Sequence, residues 1–392
     1  MNKLKAIDQE TIKVLNQKKM LQLLYRNKKL TKQDISQALN VSIPTVISNV
    51  KELIEQDFLE ESGVAESTGG RKPTIIRFLP DSRYSFGVCI TRGKVRIIIV
   101  NLYFDIIAER AINIPEELND FESLILDIKK EMDSILSDFN IPKDKVLGLG
   151  FALPGTVNEK KMLLENAPNF KLKNICFKDY KNTFEYPLYI ENEANTSASA
   201  EAFINFNNTS NSLVFVSITE GIGTGIIIGE SLYKGYNKRA GEFGHMTIVK
   251  DGKQCNCGKK GCWELYASQK SLINEYREVF NIENKSLSYF LNLAIDDIKA
   301  KEILDRYLDY LAEGIKNIIL MLDPRNIIIG GEISNYKNLI DLELKKKIFK
   351  ENSLYNDDDR KVLFSNLDGN AAIFGAALMP MEKLFFISDK VI

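Results

Sequence analysis

The sequence predicts an α/β protein of two domains: a helical head with a small β-ribbon over residues 1–80, and a two-lobed body over residues 81–392. Three observations carry this. Helical spacing dominates as far as Gln56, and only short strand-like runs follow before Pro80-Asp81. Beyond that pair the pattern becomes strand-turn-strand segments alternating with helices, the signature of an α/β domain. Finally, VCITRGKVRIIIV from Val88 is echoed by VSITEGIGTGIII from Val216, each reading as strand, glycine-bearing turn, strand. Two such halves predict a duplicated body with a cleft between its lobes.

In the head, residues 8–27 have helical spacing that places Ile12, Leu15, Leu21 and Leu24 on one face. Thr31 is a good N-cap for TKQDISQALN, and Asp34 completes a capping-box pair. Asn40-Val41-Ser42 turns the chain into a third helix from Ile43 to about Gln56, with Pro44 tolerated in its first turn. A strand around Phe58–Glu61, a Gly/Ser-rich tip and the strand TIIRF complete a winged helix-turn-helix. Residues 1–80 carry 13 Lys+Arg against 9 Asp+Glu, so a modestly basic head sits on an acidic body. Double-stranded DNA is the expected partner, with protein contact the alternative use of such a head. On the third helix Ser42, Thr45, Ser48, Asn49 and Lys51 are expected to reach base edges or phosphates, with Val46, Val50 and Leu53 facing the core. Arg71 and Lys72 at the wing are expected to enter a minor groove or touch phosphates.

No run of about 18 uncharged apolar residues is present, so no membrane span is expected. The polar start MNKLKAIDQETIKVLNQKK lacks an apolar signal core, which points to the cytoplasm. The five cysteines are odd in number, which argues against a disulfide framework. Three of them cluster in His245-x9-Cys255-x-Cys257-x4-Cys262, built around the only histidine. One imidazole and three thiolates complete a tetrahedral Zn2+ shell with no vacant position, so the expected zinc is structural.

The run AGEFGHMTIVKDGKQCNCGKKGCWE (Ala240–Glu264) resembles the signature of the ROK family, which joins repressors, open reading frames and kinases. GIGTGIIIGESLYKG, ALPGTV (Ala152–Val157), IENEAN (Ile190–Asn195) and IIIGGEIS (Ile327–Ser334) follow that family's order. The resemblance covers about residues 82–385, and with the head in front the chain is similar to the NagC/XylR repressor branch. It implies an actin-like (ribonuclease H-like) two-lobed sugar-kinase fold. It also implies sugar contacts at Gly155, Asn192, Glu193, Glu242, His245 and Glu264. The residue chemistry suits that role, because carboxylates and amides grip hydroxyls as paired acceptors and donors. Glu242 precedes His245 by three residues and Glu264 follows Cys262 by two, so zinc would orient both carboxylates. Asn192 and Glu193 follow the apolar strand YPLYI, at a strand end where ligands of α/β sheets bind.

Kinases of the family carry Asp-x-Gly-Gly-Thr at the first phosphate turn, where this chain reads Cys89-Ile90-Thr91-Arg92-Gly93. Added side chains crowd the phosphate path and the acid is gone, whereas the glycines from Gly221 to Gly225 and at Gly330-Gly331 remain. Sugar binding without phosphoryl transfer is therefore expected, with no catalytic residues. An ATP-dependent ROK sugar kinase, using Glu193 in the position of the family's aspartate base, is the alternative. Asn192-Glu193-Ala194-Asn195 in place of Asn-Asp-Ala-Asn resembles members described as xylose repressors, so D-xylose is the expected effector. Glucose and N-acetyl sugars remain open. The whole reads as a homodimeric repressor released from a near-palindromic operator by sugar.

Overall fold

The structure is a computed structural model, and it describes residues 9–64, 73–115, 118, 120–206, 212–229, 231–283, 285–349 and 361–385. Arg71 and Lys72 lie outside the described residues.

The head runs α1 (Gln9–Asn27), β1 (Lys29–Thr31), α2 (Lys32–Leu39), α3 (Ile43–Glu55), β2 (Leu59–Val64) and β3 (Thr74–Phe78). Its ends are set by side chains. The Thr31 hydroxyl accepts from Asp34 N at 3.2 Å while Asp34 accepts from Thr31 N at 2.8 Å, a complete capping box. Asn40 ends α2 in the left-handed region, and Ser42 caps α3 by accepting from Thr45 N at 3.3 Å. The antiparallel sheet order is β1-β3-β2. Strand β1 is absent from the sequence reading because three residues are too few to show a period of two. Ile12, expected to face inward, is 47% exposed, and Met20 joins Leu21 and Leu24 on the buried face instead.

The first lobe contains β4 (Tyr84–Thr91), β5 (Lys94–Asn101), β6 (Ile106–Asn113), α4 (Phe121–Asp138), β7 (Val146–Leu153), β8 (Thr156–Asn158), β9 (Leu163–Ala167), β10 (Leu172–Cys176), α5 (Lys181–Phe184), β11 (Leu188–Asn192) and α6 (Glu193–Ile204). The second lobe contains β12 (Ser212–Ile218), β13 (Ile222–Ile228), β14 (Ser231–Leu232), α7 (Glu264–Ala267), α8 (Gln269–Phe280), α9 (Leu287–Asp296), α10 (Ile298–Leu322), β15 (Asn326–Gly330), α11 (Lys337–Ile348) and β16 (Lys361–Phe364). The last helix, α12 (Ala371–Phe385), returns to pack on β4, β7 and α6.

The main sheets are ordered β6-β5-β4-β7-β11 and β14-β13-β12-β15-β16. In each, the first three strands by sequence are antiparallel neighbours and the last two join in parallel. This is the duplicated ribonuclease H-like architecture that the two hairpin echoes foretold. Both echoes are hairpins, β4–β5 and β12–β13, at the centres of their sheets.

The head shares its interior with the body. Leu24 and Phe78 belong to one buried cluster with Phe104, Phe203 and Phe385. The Tyr25 ring lies 5.3 Å from Phe203, 5.4 Å from Phe385 and 5.6 Å from Tyr103, between ring centroids. The Gln22 amide donates to the Phe385 carbonyl. A buried side chain of this size contributes about 1.5–3 kcal/mol, so several of them seat the head firmly.

Candidate functional site

Between the lobes lies a cavity of about 520 Å³, whose lining includes Gly155, Asn192, Glu193, Glu242 and Glu264. That volume lies in the range of about 300–1,000 Å³ usual for small-molecule sites. Parallel strand β11 delivers Asn192 to the cavity, where it caps α6. Asn192 Oδ1 accepts from Ala194 N at 2.9 Å and Asn195 N at 3.2 Å, and its amide donates to the Gly155 carbonyl at 2.9 Å. Gly155 needs to be glycine: its φ is +81°, and a Cβ there would meet Asn166 O at 2.2 Å. Glu193 opens α6, and burial pushes its carboxyl up to about 7. Cys89 lies nearby, its thiol pushed up to about 12 by burial and then by the charge of Glu193.

The opposite wall is organised by the cysteine cluster. His245 Nδ1 is 3.6 Å from Cys255 Sγ, and Cys257 Sγ is 3.6 Å from Cys262 Sγ. All four donor atoms lie within 4.8 Å of one another. A tetrahedron built on metal–sulfur bonds of about 2.3 Å has edges of about 3.8 Å, so this donor set can hold a metal ion. Glu264, at the start of α7, lies 3.2 Å from His245 Nδ1, and Glu242 lies 3.9 Å from His245 Nε2. The imidazole thus stands between the two carboxylates. His245 turns Nδ1 towards Cys255 and Nε2 towards the cavity-lining Glu242, so one ring nitrogen faces the cysteines and the other the carboxylate.

A half-buried ionic network ties the two walls together. Lys234, just beyond β14, pairs with Glu191 of β11 and with Glu159 at 3.2 Å, and Lys238 meets the same Glu159 at 3.0 Å. Burial works against the charge of Lys234, but Glu191 and Glu159 outweigh it and raise its affinity for a proton. The segment carrying Glu242 is thereby fastened to the strand carrying Asn192. Sequence reading missed Lys234, since only the fold brings it to Glu191, 43 residues away.

On the head, Ser42, Ser48 and Lys51 are exposed on α3, and Thr45 is half-buried with its hydroxyl 2.7 Å from that of Ser42. Asn49 corrects the sequence reading. It is 3% exposed, and its amide donates to the Thr45 carbonyl at 2.8 Å. Its position falls on the stripe of Val46, Val50 and Leu53, so it faces the core and not the groove-facing side.

Residues 85–383 match the ROK family, and residues 15–60 match a winged helix-turn-helix DNA-binding domain. The chain belongs to the ROK family. It is 28% identical to the xylose repressor of Bacillus spizizenii over 388 residues, covering 97% of this chain and 98% of that protein. It is also 28% identical to a glucokinase of Streptomyces coelicolor, but over 259 residues, covering 61% of this chain and 81% of the kinase. Among solved structures, a ROK family transcriptional regulator described as a homolog of the E. coli MLC protein superposes with a TM-score of 0.80. It has 23% identity and covers 95% of this chain and 97% of its own.

Two features of this ROK cleft concern the segments that the sequence reading compared with phosphate turns. Arg92, at the tip of the β4–β5 hairpin, pairs with Glu220 at the β12–β13 tip, Nη1 to Oε2 at 3.3 Å, so the two tips meet across the cavity. Of the glycines that the sequence reading placed in one turn from Gly221 to Gly225, only Gly221 lies at the hairpin tip. Gly223 and Gly225 lie within β13, where a Cβ at Gly225 would meet Ala194 O of α6 at 2.4 Å. Their small size is required by helix–strand packing, whether or not a nucleotide binds. Among the described residues no helix is long and apolar enough to cross a membrane.

Proposed function

We propose that this ROK protein is a DNA-binding repressor whose operator affinity is set by a monosaccharide held in the cleft between its lobes. One observation carries the reading: α6 starts in the cleft and ends against the head. Its N-cap Asn192 and first residue Glu193 line the cavity, while Phe203 in its last turn packs on Tyr25 of α1. Twelve residues of helix span about 18 Å, so a tilt imposed by ligand at one end is felt at the other.

In this reading Asn192, Glu193, Glu242 and Glu264 grip the sugar hydroxyls, and Gly155 contributes its backbone. His245, Cys255, Cys257 and Cys262 hold a structural Zn2+, which fixes the two neighbouring carboxylates. A bound sugar draws the walls together and shifts α6, and the head leaves its DNA-binding position. Two copies present their α3 helices to successive major-groove faces about 34 Å apart. The similarity to xylose repressors over nearly the whole chain supports D-xylose as the effector.

The Arg92–Glu220 pair across the phosphate path supports a sensor without kinase activity. One observation favours the kinase reading: a carboxyl near 7 at Glu193 suits a general base. Measuring ADP release with a sugar panel separates the two, and turnover abolished by Glu193→Ala would establish the kinase. The main test is titration of the protein against DNA upstream of its own gene with xylose, glucose or N-acetylglucosamine. Xylose should lower DNA affinity by about 5–150-fold, the usual span of such coupling. If no sugar changes DNA affinity, the reading fails.

A further inference from the structure

The exposed side of α3 is unusually apolar for a helix that would read DNA by hydrogen bonds. Ile43 is 40% exposed and Ile47 is 47% exposed. Pro44 is exposed beside them. The core does not require them, because Val46, Val50 and Leu53 fill the head's interior at 0–1% exposure. Spaced four apart, Ile43 and Ile47 stand one above the other on the same helix face. The body leaves this face uncovered, since the head docks through Tyr25 and Phe78.

Charge and chemistry identify what covers the face. From Ile43 to Lys51 the helix carries no carboxylate, and its positive N-terminal end lies at Ser42. Such an end tolerates a polyanion closely. An amide that could read adenine is also missing, because Asn49 is turned inward. In the major groove the apolar group available to two aliphatic side chains is the C5-methyl of thymine. The isoleucines are about 6 Å apart along the helix, close to the rise of two base pairs.

We infer that Ile43 and Ile47 read thymine methyl groups, so that each operator half-site carries A·T pairs beneath the first turns of α3. Ser48 and Lys51 are left for neighbouring base edges and phosphates. The inference rests on the DNA-binding reading above, and adds to it which bases are read and how.

The test starts by selecting duplexes from a randomised pool with the full chain. The enriched half-site is then resynthesised with deoxyuridine replacing thymidine one position at a time, and affinities are measured at fixed salt. Uracil lacks only the methyl. Each replacement beneath α3 should weaken binding about fourfold, the worth of one buried methyl-sized group. Ile47→Ala should abolish the uracil penalty at the position Ile47 covers and keep it at the position Ile43 covers, with the salt dependence unchanged because no phosphate contact is lost. Both isoleucines are on the surface, so the variant keeps its core, which thermal unfolding checks. If specific duplexes are enriched and uracil costs nothing at any position, the methyl readout is wrong and DNA binding stands. If no duplex is enriched, the DNA-binding reading falls and the inference with it. A shift in sedimentation caused by Ile47→Ala alone would assign the face to a second copy of the chain and overturn the inference.

Discussion

The two lobes share one sheet design and differ in what is hung on it. Both place a hairpin at the centre, a third antiparallel strand on one side and two parallel strands on the other. The first lobe supports the head, through Tyr103 of the segment after β5 and Phe203 at the end of α6. The second lobe carries the cysteine cluster and the α8–α10 layer and, among the described residues, no ring contact with the head is seen. Helix α6 crosses this division: it follows β11 of the first lobe yet packs on β12 and β13 of the second. The comparison teaches a separation of duties, with the cysteine cluster on one lobe, the head seated on the other, and the cleft and a shared helix between them.

Breaking the seat gives the largest effect. Phe203→Ala should cost about 3–5 kcal/mol in chemical unfolding, as a fully buried ring lost to a cavity. The milder Phe203→Leu should keep the fold and sugar affinity but lose sugar-dependent release of DNA in anisotropy titrations. Unaltered release would remove α6 from the coupling.

The next effect lies at the helix's other end. Glu193 has its carboxyl raised to about 7 in the folded protein from the ordinary 4.5. The folded state therefore holds a proton that the unfolded chain has lost, and stability falls as pH rises from about 4.5 to 7. Over that window the loss amounts to about 3 kcal/mol. Glu193→Gln should remove it, leaving the variant more stable than the parent at pH 8 and equal to it near pH 4.5. Parallel pH profiles of the two proteins would refute the assignment.

Disturbing the second lobe should affect ligand rather than DNA. Cys257→Ser or chelation should weaken sugar binding about 10–100-fold in calorimetry, by freeing Glu242 and Glu264, with sugar-free DNA binding retained. The smallest effect belongs to Arg92→Gly, which breaks an exposed ion pair worth at most about 1 kcal/mol. Sugar affinity should be unchanged and ATP turnover still absent. Recovered turnover would show that a single side chain had been holding back a kinase.

Much of this was legible in the sequence where the signal is local. The His245–Cys262 spacing, the Thr31–Asp34 cap and the hairpins at Val88 and Val216 each lie within about twenty residues of chain, and each took the expected form. Asn49 was misread for want of phase: three residues beyond Val46, it lies on the buried stripe despite its polarity. The Arg92–Glu220 and Tyr25–Phe203 contacts join residues 128 and 178 apart, and no periodicity announces a contact made by the finished fold. Gly223 and Gly225 were legible as glycines but not as strand residues, because a turn and a close helix crossing favour the same side chain.

The common interior of head and body limits how this protein can be re-engineered. A graft of residues 9–78 onto a foreign sensor would strip Phe78 of Phe385 and Tyr25 of Phe203, leaving a greasy scar that invites aggregation. A functional chimera has to be cut beyond the seat, carrying α12 and the last turn of α6 along with the head. Swapping effector specificity is therefore easier by remodelling the cleft than by exchanging modules.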